Sequence, residues 1–219
     1  DMHQAVARIY RALLSGENIA VYGDFDVDGI TATVLLAQGL TKLGGRITPY
    51  IPHRLREGHG LNNAALEQLH QQGISLVITV DCGITGLTEA RKAQRKGLDV
   101  IVSDHHTPLD ELPPAIAVVN PKRTDSNYPF SELAGVGVAF KLLQALYQSM
   151  GKEKQIDQLL DLVALGTVAD MMTLLGENRY LVKQGLKLIS TTPRLGIKQL
   201  AILAGLNISS LDTEDITWI

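Results

Sequence analysis

The chain has 219 residues, 45% hydrophobic and 20% charged, with a formal charge of −3, the balance of an ordinary globular protein rather than of a disordered or fibrous one. No apolar run approaches the ~18 residues of a membrane span, since Asp161 and Asp170 interrupt the longest apolar stretch; the first turn, with Asp1, His3, Gln4 and Arg8, is no signal peptide. The single cysteine, Cys82, excludes an internal disulfide and suits a reducing cytoplasm.

A mildly acidic charge argues against nucleic-acid binding. It loses that force if some carboxylates are metal ligands. Setting aside Asp24, Asp26, Asp28, Asp81, Asp104 and Asp170 leaves 17 acidic against 20 basic residues. The chain opens on a helical pattern at Asp1 and ends at Trp218-Ile219, so it is expected to be a piece of a longer protein.

In chain order, helical spacing over 5–15 stops at Gly16, and 19–22 reads as a buried strand. An acidic loop, 24–29, precedes a helix over 30–43 that Gly44-Gly45 closes. A strand over 47–51 leads through a polar loop, 52–60, to a helix that Asn62 caps and that runs to about 72. Strands over 76–80 and 99–102 flank a helix over 85–96, and a fifth strand covers 115–119. After an irregular stretch, 120–133, helices are expected at roughly 134–150, 154–168, 177–190 and 195–204. Apolar, β-branched strands alternating with helices predict an α/β fold, a five-stranded mostly parallel sheet covered by helices on both faces. The α/β part spans about 1–133, and the helical part about 134–219, with no linker between them.

Asp24, Asp81 and Asp104 each fall just past a predicted strand. The carboxyl edge of a parallel sheet is where ligands bind, near the switch in strand order. Asp24-Phe25-Asp26-Val27-Asp28 places three carboxylates in five residues, a costly repulsion without a cation. A solvated acidic turn is one reading. An EF-hand is another, but Leu35 stands where its bidentate glutamate would be and a strand precedes the loop. The third is a metal site.

Asp81-Cys82-Gly83 alone could be a common turn, with Cys82 as small filler. In Asp104-His105-His106, neighbouring imidazoles point different ways, so one can bind metal while the other faces substrate. Asp170 ends an apolar helix and by itself reads as a helix-end polar residue. Gly135-Val136-Gly137 is no dinucleotide loop, because Phe140 replaces the third glycine; its plausible use is a helix opening whose amides hold a phosphate. Arg54, Arg56, Lys122 and Arg123 stand in loops near the same rim, as phosphate contacts or as surface charge.

The runs GDFDVDGITA, VDCG, VSDHH and LGTVAD, in that order, resemble the four motifs of the DHH phosphoesterases. LAGVGVAFKLLQAL and Asn120-Pro121 narrow the resemblance to the branch of single-strand-specific exonucleases. The resemblance implies two divalent ions, manganese or alternatively magnesium, and a single-stranded DNA substrate degraded 5′-to-3′ in repair and recombination. It implies that Asp26 and Asp24 hold one ion, that Asp28, His105 and Asp170 hold the other, and that Asp81 bridges them. His106 resembles the non-ligand histidine that contacts the scissile phosphate and protonates the leaving oxygen, with Asp104 orienting a histidine. Tyr22 stands where pyrophosphatases and many small-nucleotide phosphodiesterases of this family carry a histidine, against those activities. A phosphodiesterase for oligonucleotides or cyclic dinucleotides is the alternative from the same chemistry, and an inactive scaffold the alternative from another class. The accessory domains that grip DNA are expected outside this chain.

Overall fold

The structure is a computed structural model that describes residues 1–218. Five parallel strands, β1 (Asn18–Tyr22), β2 (Arg46–Tyr50), β3 (Leu76–Val80), β4 (Asp99–Ser103) and β5 (Ala117–Val119), form one sheet in the order β2-β1-β3-β4-β5. The expected parallel α/β sheet is therefore present. From β1 the chain adds β2 on one side and everything later on the other, so the switch in strand order lies between β1 and β3. β2 is an edge strand whose Pro49 offers no N–H to a further neighbour.

The period of two in the strands divides the core. Ile19, Val21, Ile78 and Ile101 face α1 (Met2–Ser15), α2 (Val27–Lys42), α5 (Gly135–Ser149) and α6 (Leu160–Ala169). Ala20, Tyr22, Val77 and Val100 face α3 (Asn63–Gln71) and α4 (Leu87–Arg95). α6 carries apolar residues all round and is buried on every side, by α2 and α5 on one and α7 (Gly176–Thr191) on another. Beyond it lie α8 (Leu195–Leu203) and the short α9 (Thr213–Ile216). Arg194, at the start of α8, donates to Asp161 on α6 and, at 2.8 Å, to Gln38 on α2, which fixes the last helices to the core. No helix among the described residues is long and apolar enough to cross a membrane.

Several boundaries differ from expectation: α1 begins at Met2 rather than at 5, α4 at Leu87 rather than at 85, and β5 at Ala117 rather than at 115. α2 begins at Val27 rather than at 30, because Asp26 accepts the Gly29 N–H at 2.8 Å and caps the helix there. The segment before α6 is two 3-10 turns, 153–155 and 157–159, rather than α-helix.

Candidate metal centre

The motifs converge at the carboxyl edge, and the backbone explains how. Past β1, Asp24 is buried while Asp26, the cap, is exposed. Starting the helix at Val27 puts Asp28 in its first turn, 2% exposed and turned inward. There its carboxylate accepts the N–H groups of Gly135 at 2.6 Å and Val136 at 2.8 Å, the open end of α5. Past β3, Asp81 adopts φ 61°, left-handed backbone that only a few residue types tolerate. The Thr79 hydroxyl holds this turn by donating to the Cys82 carbonyl at 2.7 Å.

Past β4, buried Asp104 organises its own loop. Its oxygens accept from the N–H groups of Ile84 at 2.9 Å and His105 at 2.7 Å, and bind His106 Nδ1 at 2.8 Å. α6 ends at Asp170 in a Schellman arrangement, with Met171 N–H on Val168 and Met172 N–H on Thr167. Met171 takes the left-handed position, φ 52°, where glycine is usual, and is 88% exposed.

One imidazole nitrogen gathers the carboxylates. His105 Nε2 lies 3.1 Å from Asp81, 3.7 Å from Asp170 and 3.9 Å from Asp28. Asp28, His105 and Asp170 offer donor atoms within 4.8 Å of one another, and so do Asp81, His105 and His106. Among the described residues no lysine or arginine forms an ion pair with Asp28, Asp81 or Asp170. Three carboxylates and an imidazole without a side-chain cation fit a hard divalent ion.

The electrostatics agree. Burial, with the Asp81 charge beside it, holds the Asp28 carboxyl well above the ordinary carboxylate range. Burial, then the charges of Asp26 and Asp104, push Asp81 up to about 9. Burial also raises Asp170. His106 goes up to about 9 because its hydrogen bond to Asp104 favours the cation. Burial alone would raise Asp104, but His106 brings it below its ordinary value.

The close approach depends on glycines. A Cβ on Gly135 would lie 2.6 Å from Asp81 Cβ, and one on Gly166 2.8 Å from an Asp28 oxygen. Gly166 gave no sign of this in the sequence, because the contact joins α6 to α2.

Asp24 and Asp26 lie at the mouth, outside both donor sets of three. Asp24 accepts the Phe25 N–H at 2.6 Å and meets His59 Nδ1 at 3.1 Å. His59 was not singled out in the sequence; it comes from the polar loop 52–60, which folds back over Phe25 with ring centroids 4.3 Å apart. Arg54, from the same loop, sits 5.3 Å above the Phe25 ring, and Arg56 is exposed beside it. Lys122 is half-buried and near enough for its charge to act on Asp170.

Two expected phosphate contacts need correction. The Arg123 guanidinium spends four of its five N–H groups on Asp125, Asp1 and the Val118 carbonyl, because it anchors the 120–133 segment to the sheet edge. The amide groups that open α5 at Gly135 and Val136 serve Asp28, not a phosphate, and Gly137 is buried. Tyr22 is also structural: buried, stacked on Tyr50 and donating to the Gly60 carbonyl at 3.0 Å.

Known proteins resemble this chain over nearly its whole length. The chain is 45% identical to the single-stranded-DNA-specific exonuclease RecJ of Bacillus subtilis, over 98% of this chain and 27% of that protein. It is 40% identical to the Escherichia coli RecJ, over 98% of this chain and 39% of the relative. A crystal structure of exonuclease RecJ bound to manganese superposes with a TM-score of 0.88 at 40% identity, covering 99% of this chain and 54% of that one. RecJ from Thermus thermophilus in complex with Mn2+ gives 0.83 at 35% identity, over 99% of this chain and 31% of that one. The chain thus spans well under two thirds of the length of each of these proteins. Residues 18–167 match the model of the DHH family, N-terminal domain, and the chain belongs to the DHH family.

Proposed function

We propose that this chain is the catalytic part of a two-metal exonuclease that hydrolyses phosphodiester bonds of single-stranded DNA, 5′-to-3′, in DNA repair and recombination. The observation that carries this reading is the meeting of Asp28, Asp81 and Asp170 around His105 Nε2 without a side-chain cation. Its identity to RecJ exonucleases supports the substrate. The cofactors are two manganese ions, with magnesium able to replace them. Asp28, His105 and Asp170 would hold one, Asp24 and Asp26 the other, and Asp81 both. Such a pair of ions raises the acidity of water and offsets charge on the attacking and leaving oxygens.

The chain's own groups supply the rest. Asp104 fixes His106 by Nδ1 and keeps it protonated, so Nε2 can pass a proton to the leaving oxygen. Arg54, Arg56 and Lys122 hold DNA phosphates along the rim. The α/β and helical parts act as one catalytic unit. The lone buried thiol, Cys82, fits the cytoplasm, where we place the protein.

A long single strand labelled at either end tests this, with manganese and with a chelator. Release of labelled mononucleotide from the 5′ end first, only with metal, is the expected result. Faster cleavage of a cyclic dinucleotide, or no cleavage at all, would sink the reading.

A further inference from the structure

Two chain segments that supply no candidate metal ligand are joined directly to residues of the centre. Residues 128–134 lead to the α5 amides that hold Asp28, and residues 171–173 follow Asp170. Both segments meet at one side chain. Asn178, in the first turn of α7, is 0% exposed. Its Nδ2 donates to the Glu132 carbonyl at 2.5 Å and to the Thr173 carbonyl at 3.1 Å. Among the described residues no other side chain hydrogen-bonds to both segments. An amide nitrogen has two protons, and both are used; turned over, the amide would set its oxygen against two carbonyls.

The other half of the amide points to a purpose beyond folding. Asn178 Oδ1 is buried without a hydrogen-bond partner, which costs stability. The neighbouring residues hold the 128–132 segment and α5. Glu177 accepts from the Tyr128 hydroxyl at 2.6 Å and from Lys141 at 3.1 Å. A Cβ on Gly176 would lie 2.8 Å from the Phe130 ring.

We propose that Asn178 is a positioning residue of the metal centre, setting the spacing between Asp170 and the α5 amides that orient Asp28. Glu132 stands three residues before Gly135, and Thr173 three after Asp170, so each carbonyl is joined to the centre by a short stretch of chain. Asn178 itself touches neither ion nor substrate. When one of its hydrogen bonds is lost, Asp28 and Asp170 move relative to each other, and the ion they share is held less tightly. This role rests on the metal-centre reading above.

The test is manganese titration by calorimetry on the full chain, comparing the wild type with Asn178→Asp, Asn178→Ser and Asp28→Asn. Circular dichroism sets a temperature at which each variant is folded. The aspartate variant would keep the side-chain shape but face two carbonyls with oxygen; the serine variant is neutral and smaller, and gives the same readout if the aspartate variant does not fold. We expect the wild type to bind two ions, and both Asn178 variants to bind one of them roughly 10–100-fold more weakly. Cleavage of single strands should fail at limiting manganese and return at saturating manganese. A lower melting temperature with wild-type manganese affinity would overturn the proposal, because a purely structural residue behaves that way. A wild type that binds no manganese would instead overturn the metal-centre reading, and the role with it.

Discussion

Asp28 accepts the backbone N–H of Gly135 at 2.6 Å across 107 residues of chain. One carboxylate thereby caps a helix and stands in the candidate metal centre, and the cap orients it. Where an N-terminal cap normally comes from the residue just before the helix, Ala134 has no side-chain oxygen to offer.

That arrangement makes two nearby glycines respond unequally to alanine. Gly135→Ala drives a methyl into Asp81, which should cost about 1–3 kcal/mol and weaken manganese binding. Gly137→Ala meets only Leu133, at 3.3 Å, and gains helix propensity, so stability should change by less than about 1 kcal/mol. Thermal unfolding with and without manganese separates the two. Equal losses would mean that the Asp81 contact does not matter.

The paired histidines should divide their labour. His105→Ala removes the nitrogen around which the carboxylates gather, so metal content should fall. His106→Ala should retain metal and slow cleavage roughly 10²–10⁴-fold. Metal analysis beside a single-turnover rate distinguishes the variants, and equal metal loss in both would refute the division.

Without metal, stability should fall as pH rises. Asp81, ordinarily at 3.8, is pushed up to about 9, so the folded chain keeps a proton that the unfolded chain releases in between. Its contribution is whole below the ordinary value and disappears on the way to about 9. His106, raised from 6.5 to about 9, loses its contribution in the upper part of the same window. The melting temperature of the metal-free protein should therefore decline from pH 5 to 9. Asp81→Asn should flatten that slope, and manganese should restore stability at high pH in the wild type only. A slope that survives the substitution would show that other groups govern it.

Replacing Met171 should make the protein more stable. It holds a left-handed backbone while 88% exposed, so little packing offsets the strain. Met171→Gly should raise stability by about 1 kcal/mol in denaturant unfolding. A loss would mean that the thioether packs where it looks bare.

Much of this candidate centre could be read from the sequence, because Asp24, Asp81 and the Asp104-His105-His106 run follow strand ends, and strand ends are local. Asp81, Asp104 and the two histidines needed only the end of an apolar run to be located. Other features depended on tertiary contact. His59 lies in a loop without periodicity and reaches Asp24 only when that loop folds back. Arg123 could be read as a phosphate contact or as surface charge because its partners, Asp1 and Asp125, carry no pattern that ties them to it. Asn178 resembles any polar residue at a helix start; its two carbonyls come from segments 46 and 5 residues away.

The donor set Asp28, His105 and Asp170 draws on both the sheet and the helical half of the chain. An ion bound there would act as a removable cross-link. It closes a loop of more than half the chain, and like any ligand of the native state it favours that state by mass action. Chelation should therefore loosen the packing of α6 against α2 before the strands separate, and amide hydrogen exchange along α6 would record how firmly the ion joins the two halves.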